Sequence, residues 1–383
     1  MPRVLRIVNR FNLGGPTYNA CYLTKYLAPE YETLLIGGQK EAQEASSEFI
    51  PQSLGVDYAI LPEIQRSINY SQDRKAYRAI KTLIQEFKPD IVHTHASKAG
   101  ALGRLAAAAC NVDVIVHTFH GTVFEGYFGW VKSSIYKEAE RYLARKSDAI
   151  VAISPLQKRD LVEKHRIAPE YNVEMIPLGF ELGRFSENQD QKRLDFRAEH
   201  GLRETDVAVG IIGRLTPIKD HSFFLRALDR LRRENPNVKT FVIGGGELES
   251  QLENQAAELG FTKGKDIVFT SWIEDVSYPL AGLDVVALTS INEGTPVSLI
   301  EAQAAQCSVI SLDVGGVKDV VLNGETGFVT NKEGFSSKLN ELIRNPELRN
   351  QMGVKGRKHA LSKYSVDRLA QDMRSLYERL LTT

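Results

Sequence analysis

Two pairs of charged residues in the second half of the chain have the types and spacing to hold a phosphorylated ligand. Arg214 and Lys219 lie in GRLTPIKD, residues 213–220, and Glu293 and Glu301 lie in EGTPVSLIE, residues 293–301. Each segment follows an apolar, strand-like run. An arginine binds a diphosphate through its planar fork and a lysine as a point charge, while carboxylates accept hydrogen bonds from hydroxyl groups. The pattern indicates a sugar or nucleotide site, and solvated surface charges are the alternative.

The segment after Glu293 predicts the start of a helix. Pro296 suits the first helical position, and Glu301 follows about one and a half turns later. One carboxylate is therefore expected at the mouth of the helix and the other further along it. The first amides of a helix have no backbone partner and attract anions. A phosphate is expected at Gly294, Thr295, Val297 and Ser298.

Two glycine-rich turns follow predicted strands but match neither a dinucleotide-binding motif nor a P-loop. Gly14 and Gly15 precede Pro16, and IGGGELES spans residues 243–250. In the second turn, position 249 is a glutamate where the motif G-x-G-x-x-G requires its third glycine. The segment GFTKGKD at 260–266 has the wrong glycine spacing for a P-loop. The sequence therefore argues against a dehydrogenase and a P-loop enzyme. Two interpretations of these glycines stay open: they let a ligand approach the backbone closely, or they only satisfy the geometry of a turn.

Four histidines cluster in the first half of the chain, at His93, His95, His117 and His120. His93 and His95 share one face of a predicted strand, but no nearby cysteine or carboxylate completes a metal site, so no metal is expected. His120 follows a predicted strand directly, where we expect it to face a cleft between two domains. From the residues alone, a catalytic and a structural role for His120 both stay open.

Residues 119–136 are rich in aromatic side chains with lysines beside them. Such a surface is able to rest on a membrane or to hold an apolar acceptor, and the alternative is ordinary core and loop packing. The residues concerned are Phe119, Phe124, Tyr127, Phe128, Trp130, Lys132, Tyr136 and Lys137.

Short β-branched runs alternate with helix-length segments along the chain, which predicts parallel strands covered by helices on both faces. PLGFELGRFS at 177–186 interrupts this alternation, and a second series of strands follows. We therefore predict an α/β fold of two doubly wound, Rossmann-like domains with ligand sites at the carboxyl ends of their strands. Apolar residues at three-to-four spacing in 365–381 predict a closing amphipathic helix.

The composition is that of a soluble protein with balanced charge. The 383 residues include 48 Lys plus Arg and 48 Asp plus Glu, without the basic excess of a nucleic-acid-binding protein. Cys21, Cys110 and Cys307 form no C-x-x-C pair, fall in segments that we predict as buried helix, and suit a reducing, cytoplasmic setting. No run reaches the roughly 18 apolar residues of a membrane span, and no cleavable leader is predicted.

Taken together, these segments resemble a retaining glycosyltransferase of the GT-B fold, specifically of glycosyltransferase family 4. The resemblance covers nearly the whole chain, and its specific part is Arg-x-x-x-x-Lys followed by Glu-x7-Glu. The GGGE segment at 244–247 departs from a Gly-Asp-Gly pattern common in that family. The segments that carry the resemblance are the Gly14–Gly15 turn, HTHASKAGALGRLAA at 93–107, HTFHGTVF at 117–124, GRLTPIKD, EGTPVSLIE and the closing helix.

The resemblance implies an acceptor-binding domain over 1–183, a nucleotide-sugar-binding domain over 184–364, and a closing helix over 365–383 that packs back on the first domain. It also implies a role for each candidate residue: Arg214 and Lys219 on the donor diphosphate, Glu301 on the ribose, and Glu293 on the transferred sugar. The implied donor-binding residues are Gly14, Gly15, Gly213, Arg214, Lys219, Gly245, Gly246, Trp272, Ile273, Glu293, Gly294, Thr295, Pro296, Val297 and Glu301. The implied acceptor-binding residues are Gly15, His95, Lys98, His120 and Phe124. The implied catalytic residues are His120, Arg214, Lys219 and Glu293.

The reaction implied by the resemblance is front-face transfer with retention, in which a leaving phosphate oxygen assists deprotonation of the acceptor hydroxyl. No D-x-D motif occurs, so the paired cations are expected to replace a divalent ion, and no cofactor is expected. The implied donor is a UDP-sugar that carries a hexosyl or N-acetylhexosaminyl group. The implied acceptor is a glycan, or a polyprenyl-diphosphate-linked glycan of bacterial surface polysaccharide, met in the cytoplasm or at the inner surface of the membrane.

Two other functions stay open. A nucleotide-sugar 2-epimerase shares the two-domain architecture, but it needs acid and base residues for elimination and addition, and the four charged residues favour transfer. A catalytically silent nucleotide-sugar-binding protein is the second alternative.

Overall fold

The chain divides into two α/β units. The computed structural model describes residues 1–12, 15–40, 46–65, 69–121 and 130–382, with the side chains of 130–132 excepted. Unit 1 consists of Met1–Phe180 and Val366–Thr383, and unit 2 of Glu181–Ser365. The division falls inside PLGFELGRFS, after Phe180 rather than after residue 183.

Unit 1 contains a parallel seven-stranded sheet. Its strands are β1 (Arg3–Arg10), β2 (Glu32–Gly38), β3 (Tyr58–Ile60), β4 (Ile91–His95), β5 (Val114–Phe119), β6 (Ala149–Ala152) and β7 (Val173–Met175). Its helices up to this point are α1 (Gly15–Tyr26), α2 (Phe49–Leu54), α3 (Tyr70–Phe87), α4 (Ser97–Ala109), α5 (Trp130–Ala144) and α6 (Pro155–Arg159). The strands lie in the order β3-β2-β1-β4-β5-β6-β7.

Unit 2 contains a parallel six-stranded sheet. Its strands are β8 (Val207–Ile212), β9 (Val238–Ile243), β10 (Ile267–Phe269), β11 (Val285–Leu288), β12 (Ser308–Leu312) and β13 (Gly327–Thr330). Its helices are α7 (Gln189–Glu199), α8 (His221–Glu234), α9 (Glu249–Glu258), α10 (Ser277–Gly282), α11 (Val297–Ala304), α12 (Val317–Val320), α13 (Lys332–Arg344) and α14 (Pro346–Tyr364). The strands lie in the order β10-β9-β8-β11-β12-β13.

Both sheets reverse their strand order beside their first strand, between β1 and β4 in unit 1 and between β8 and β11 in unit 2. In doubly wound sheets this switch point opens a crevice at the carboxyl ends of the two strands, because the connections on either side of it leave in opposite directions. The predicted fold of two doubly wound domains is therefore confirmed, and the fold itself marks one candidate site in each unit.

The closing helix α15 (Val366–Leu381) belongs to unit 1. The Val366 amide donates to the Phe180 carbonyl at 2.9 Å, which anchors the start of the helix. Its apolar stripe packs against Val4 and Leu23 in the core of unit 1, as the amphipathic pattern predicted. The buried residues of this stripe are Leu369, Ala370, Met373, Leu376 and Tyr377.

The three cysteines are free thiols. Cys21 is buried within α1, so the prediction of a buried helix is confirmed for this residue. It is wrong for Cys110, which is half-buried directly after α4, and for Cys307, which is buried just before β12. The apolar run that follows it forms a buried strand instead. Burial raises the pKa of Cys21 and of Cys307 to about 12, which leaves both as inert thiols at neutral pH.

The aromatic stretch 119–136 is described only in part. Phe119 is buried in the core of unit 1, whereas Phe124, Tyr127 and Phe128 lie outside the described residues. No described helix has the length and apolar character to cross a membrane.

Candidate active site

The charged residues of GRLTPIKD and EGTPVSLIE follow neighbouring strands of unit 2. Arg214 and Lys219 lie in the loop after β8, and Glu293 lies in the loop after β11. Because β8 and β11 are parallel and adjacent, both loops leave the same edge of the sheet at its switch point. Thr289 Oγ1 donates to the Lys219 carbonyl at 3.1 Å and joins the two loops.

Lys219 and Glu293 form an ion pair at this edge. Lys219 Nζ donates to Glu293 Oε1 at 2.6 Å, and Ser290 Oγ donates to the same oxygen at 2.5 Å. The Glu293 side chain is only 10% exposed. Its second oxygen accepts from no described group and is available to a ligand hydroxyl.

Arg214 is exposed, and no described residue pairs with it. Its neighbour Leu215 is fully buried, and the Leu215 amide donates to the Gly245 carbonyl at 3.0 Å. The backbone therefore holds the loop in place while the guanidinium stays available. A free guanidinium in the same loop as an ammonium suits a diphosphate ligand.

The glycines at 244–246 pack closely against the loop after β8. A Cβ on Gly244 would lie 2.1 Å from the Gly213 oxygen, and a Cβ on Gly246 would lie 2.6 Å from the Leu215 oxygen. Gly244 also has a φ of +134°, which favours glycine. A Cβ on Gly245 would meet only ordinary contacts of 3.5 Å or more. Backbone packing thus accounts for Gly244 and Gly246, whereas packing does not require a glycine at position 245.

The start of α11 presents free amides. Pro296 lies immediately before the helix, one position earlier than predicted, because α11 begins at Val297, and no side chain caps the helix. The loop before it is held by Gly316, whose amide donates to the Glu293 carbonyl at 3.1 Å. Amides of this kind attract phosphate oxygens. Among the described residues, no acceptor is bonded to the amides of Gly294, Thr295, Val297 and Ser298.

Glu301 lies on α11 and is paired with Arg184. Arg184 Nη2 donates to Glu301 Oε1 at 3.2 Å, and the Glu301 side chain is 16% exposed. Burial raises the pKa of Glu301 to about 7; Arg184 opposes this shift and the nearby Asp275 adds to it. This carboxyl therefore titrates near neutral pH, and its protonation decides how well it accepts hydrogen bonds from hydroxyls.

Trp272 and Ile273 lie in the segment between β10 and α10. The Trp272 side chain is 67% exposed. The segment is fixed to the glycine turn, because the Gly244 amide donates to the Ser271 carbonyl at 2.9 Å. The exposed indole offers a flat apolar surface for a planar ligand.

Unit 1 brings three of the four histidines together at the ends of β4 and β5. The ring centroids of His93 and His95 are 4.3 Å apart, and those of His95 and His120 are 5.2 Å apart. His93 and His95 are fully buried, whereas His120 is partly exposed, so His120 alone of these three is positioned to touch a ligand. Burial lowers the pKa of His120 to about 4, and the ring is neutral at pH 7.

The other predicted residues of unit 1 differ in their setting. Gly15 begins α1, and a Cβ there would have no described atom within 4 Å. Lys98 on α4 forms an ion pair with Asp73 at 2.5 Å and is only 14% exposed. Gly14 and Phe124 lie outside the described residues. The ligand-binding roles of these residues stay predictions.

Sequence reasoning missed the partners of the two glutamates. Arg184 and Asp275 are far from Glu301 in the chain, and no motif links them. Ser290 ends the strand-like run three residues before Glu293, and only its proximity could have suggested a role. Among the described residues, no group of three or more histidine, cysteine, aspartate or glutamate side chains forms a metal site.

Two family models match the chain, one in each half. The family described as "Glycosyltransferase Family 4" matches residues 14–184, and that described as "Glycosyl transferases group 1" matches residues 192–359.

Known proteins match over most of their length. The UDP-Gal:alpha-D-GlcNAc-diphosphoundecaprenol alpha-1,3-galactosyltransferase of Escherichia coli is 27% identical over 322 residues, which is 83% of this chain and 82% of that protein. The capsular polysaccharide biosynthesis glycosyltransferase CapM of Staphylococcus aureus is 27% identical over 323 residues, 83% of this chain and 84% of the relative. The Anabaena protein HepE, solved in complex with UDP, superposes with a TM-score of 0.79 at 18% identity, over 99% of this chain and 100% of that one. With one family model on each unit and the same fold in solved glycosyltransferases, the chain belongs to glycosyltransferase family 4 and has the GT-B fold.

Proposed function

We propose that this glycosyltransferase moves a sugar from a UDP-sugar, bound by unit 2, to a hydroxyl of an acceptor bound by unit 1, with retention of anomeric configuration. The observation that carries the proposal is the set of unsatisfied donors at the β8–β11 switch point: the Arg214 guanidinium and the free amides at the start of α11. With the Lys219 ammonium, these groups would bind a diphosphate and stabilise the charge on the leaving nucleotide.

The other groups of the site would orient the donor. The Glu301 carboxyl would accept hydrogen bonds from the ribose, the free oxygen of Glu293 would accept one from the transferred sugar, and Trp272 with Ile273 would lie against the base. UDP is favoured because the Escherichia coli relative is named for UDP-Gal and HepE was solved with UDP.

Retention is proposed to follow from front-face transfer. The bond from the anomeric carbon to the leaving phosphate oxygen breaks, the acceptor oxygen bonds to the same face, and the phosphate oxygen receives the acceptor proton. In this mechanism Glu293 is a hydrogen-bond acceptor rather than a nucleophile: Lys219 and Ser290 hold its Oε1, and its second oxygen would face the transferred sugar. Proton NMR of the first-formed product gives the anomeric configuration, and an inverted product would overturn this part of the proposal.

The acceptor is proposed to be a lipid-linked glycan. The Escherichia coli relative is named for a diphosphoundecaprenol acceptor and the Staphylococcus aureus relative for capsular polysaccharide. On α5, Ile135 is 65% exposed and Tyr142 51%, with Lys146 over the Tyr142 ring. Such a face suits peripheral contact with an anionic membrane. Sedimentation with anionic vesicles tests this contact, and a chain that stays in the supernatant at low salt would contradict it.

A thermal-shift titration with UDP, GDP, ADP, NAD and UDP-sugars tests the donor site, because a ligand that binds only the folded state raises its stability. Each ligand is tested with magnesium and with EDTA. We expect UDP to stabilise the protein in both conditions. Stabilisation by NAD alone, or by no nucleotide, would contradict the donor assignment.

Turnover then separates the three functions. A UDP-sugar supplied without acceptor should stay unchanged, and addition of a lipid-linked glycan should release UDP. Conversion of the donor alone into an epimer would indicate a 2-epimerase. Binding without turnover, across donors and acceptors, would indicate a silent binding protein.

A further inference from the structure

A row of hydrogen-bonded, buried side chains in unit 1 leads from β1 through α15 to the histidines. Arg6 Nη2 on β1 donates to the Tyr377 hydroxyl on α15 at 3.1 Å, and that hydroxyl lies 2.6 Å from His93 Nδ1. His93 Nε2 lies 2.8 Å from Thr118 Oγ1 on β5. Arg6, His93 and Tyr377 are fully buried, so water does not compete for these bonds.

We assign the protons in this row so that each group donates to the next, from Arg6 towards Thr118. Arginine only donates, so the Tyr377 oxygen accepts from Arg6. A phenol is more acidic than a neutral imidazole N–H, so Tyr377 gives its own proton to His93 Nδ1. His93 then carries its proton on Nε2 and donates to Thr118. Burial and the charge of Arg6 both lower the pKa of His93, which keeps this ring neutral.

His93 supports a second pair of rings. Its ring stacks on His95 at an interplanar angle of 28°, and His95 Nδ1 lies 2.9 Å from His120 Nε2. His95 Nε2 is buried and has no described hydrogen-bond partner. A lone pair is better placed there than a proton, because orphaned buried N–H groups are rare. The single proton of neutral His95 therefore belongs on Nδ1, where it is donated to His120.

We propose that His95 is a positioning residue that holds His120 in the tautomer protonated at Nδ1, and that Arg6, Tyr377 and His93 hold His95 in place. His120 accepts at Nε2, so its partly exposed ring offers an N–H donor at Nδ1. Its ligand group is then an oxygen, such as a sugar hydroxyl or a phosphate oxygen. In this tautomer His120 does not act as the base for the acceptor hydroxyl. Only the identity of that ligand rests on the proposed function.

Nitrogen-15 NMR of histidine-labelled full-length protein at pH 7 tests the tautomer without substrate. The two nitrogens of a neutral imidazole differ in chemical shift according to which one carries the proton, and loss of a signal in His120→Asn assigns the ring. We expect His120 to be protonated at Nδ1 in the wild type. In His95→Leu, which removes the donor, we expect a shift towards protonation at Nε2. In His95→Asn, whose amide nitrogen replaces the donor, we expect the wild-type tautomer.

A wild-type His120 protonated at Nε2, or an unchanged tautomer in His95→Leu, would overturn the proposal. Thermal unfolding and UDP binding report whether each variant is folded. If His95→Leu does not fold, Tyr377→Phe provides the second variant. Loss of the Tyr377 hydroxyl should change the chemical shift of His93 Nδ1. An unchanged shift would contradict the hydrogen bond from Tyr377 to His93.

Kinetics separate positioning from mere stability. We expect His95→Leu and Tyr377→Phe to lower kcat about three- to ten-fold, the effect of one hydrogen bond, with the donor KM unchanged. Tyr31→Phe is the matched control, because its ring packs 5.4 Å from that of Tyr377 but takes no part in the row. A failure to detect any transfer would count against the proposed function, whereas the NMR result decides the histidine proposal by itself.

Discussion

Arg184 Nη2 lies 3.2 Å from Glu301 Oε1, although 117 positions separate the two residues in the chain. Arg184 lies in a 3₁₀ turn at the start of unit 2, and Glu301 lies on α11. The carboxyl proposed to bind the ribose thus belongs to a charged cluster that also includes Asp275. Because burial dominates in this cluster, Glu301 titrates near neutral pH rather than in the usual range of a glutamate.

Glu301→Gln should gain stability relative to the wild type as pH rises. The folded pKa of about 7 lies above the ordinary value of 4.5. Protonation of Glu301 therefore stabilises the wild-type fold fully below pH 4.5, and this stabilisation is lost as pH rises through 7. At 1.36 kcal/mol per pKa unit the loss is about 3 kcal/mol. Thermal unfolding of both proteins at pH 5 and pH 8 measures it. A stability difference that does not change with pH would show that the folded pKa is not raised.

UDP affinity should fall as pH drops below 7. A protonated Glu301 accepts hydrogen bonds from ribose poorly, and one pH unit below its pKa about nine-tenths of the carboxyl is neutral, which predicts a loss of up to about ten-fold between pH 8 and pH 6. Calorimetric titration measures the affinity. Glu301→Gln is the control, since any pH dependence that it retains belongs to the UDP phosphate. An identical profile in both proteins would exclude Glu301 from the ribose site.

Arg214→Ala and Lys219→Ala should separate catalysis from stability. Arg214 has no described partner, so its loss should leave the unfolding free energy within about 0.5 kcal/mol. We expect kcat to fall about 10²- to 10³-fold, more than donor affinity, because the guanidinium would stabilise charge on the leaving nucleotide. Lys219→Ala should lower kcat and also destabilise the protein by about 1–3 kcal/mol, since the largely buried Glu293 loses its cation. Equal effects of Arg214→Ala on kcat and on donor affinity would contradict a role of Arg214 in stabilising charge on the leaving nucleotide.

Gly246→Ala and Gly294→Ala should differ although both glycines are candidate donor-binding residues. A Cβ on Gly246 would lie 2.6 Å from the Leu215 backbone oxygen, whereas a Cβ on Gly294 has no described atom within 4 Å. Gly246→Ala should therefore destabilise unit 2 by about 1–3 kcal/mol, as overpacking does. Gly294→Ala should leave stability within about 0.5 kcal/mol, so any loss of UDP binding reports on the ligand. Thermal unfolding compares the two, and a tolerated Gly246→Ala would show that this segment is able to move.

Arg104 and Glu140 form a buried ion pair between α4 and α5. Arg104 Nη2 donates to Glu140 Oε2 at 2.7 Å, and the two side chains are 0% and 5% exposed. Removal of one partner by Arg104→Met or Glu140→Gln should destabilise unit 1 by about 3–5 kcal/mol, because the other group stays buried without its partner. The double variant should be less destabilised than the sum of the single ones. Urea unfolding of the wild type, both single variants and the double variant measures the coupling free energy between the two residues. Additive losses of unfolding free energy would show that the pair is not coupled.

The amino-acid sequence by itself indicated the α/β fold and the charged residues that we propose to bind the donor. Continuous apolar runs between helix-length segments predict parallel strands buried on both faces, and the structure arranges these strands as two doubly wound sheets. Arg214, Lys219 and Glu293 could be assigned to one site because each closely follows a strand, and parallel strands end at one edge of a sheet. The closing helix followed from apolar residues at helical spacing.

Only the tertiary structure decided which of these groups are free and which are paired. Glu301 meets Arg184, and His93 meets Tyr377, across long stretches of chain, and no local pattern encodes such pairs. The family resemblance implied acceptor-binding roles for both His95 and His120, but packing buries His95 and leaves His120 partly exposed. Similarly, Gly245 and Gly246 are adjacent and identical in the sequence, yet a Cβ would collide with the Leu215 backbone only at Gly246. Spacing along the chain identifies candidates, but burial and distance in space assign their roles, because a side chain's chemistry depends on neighbours that folding brings together.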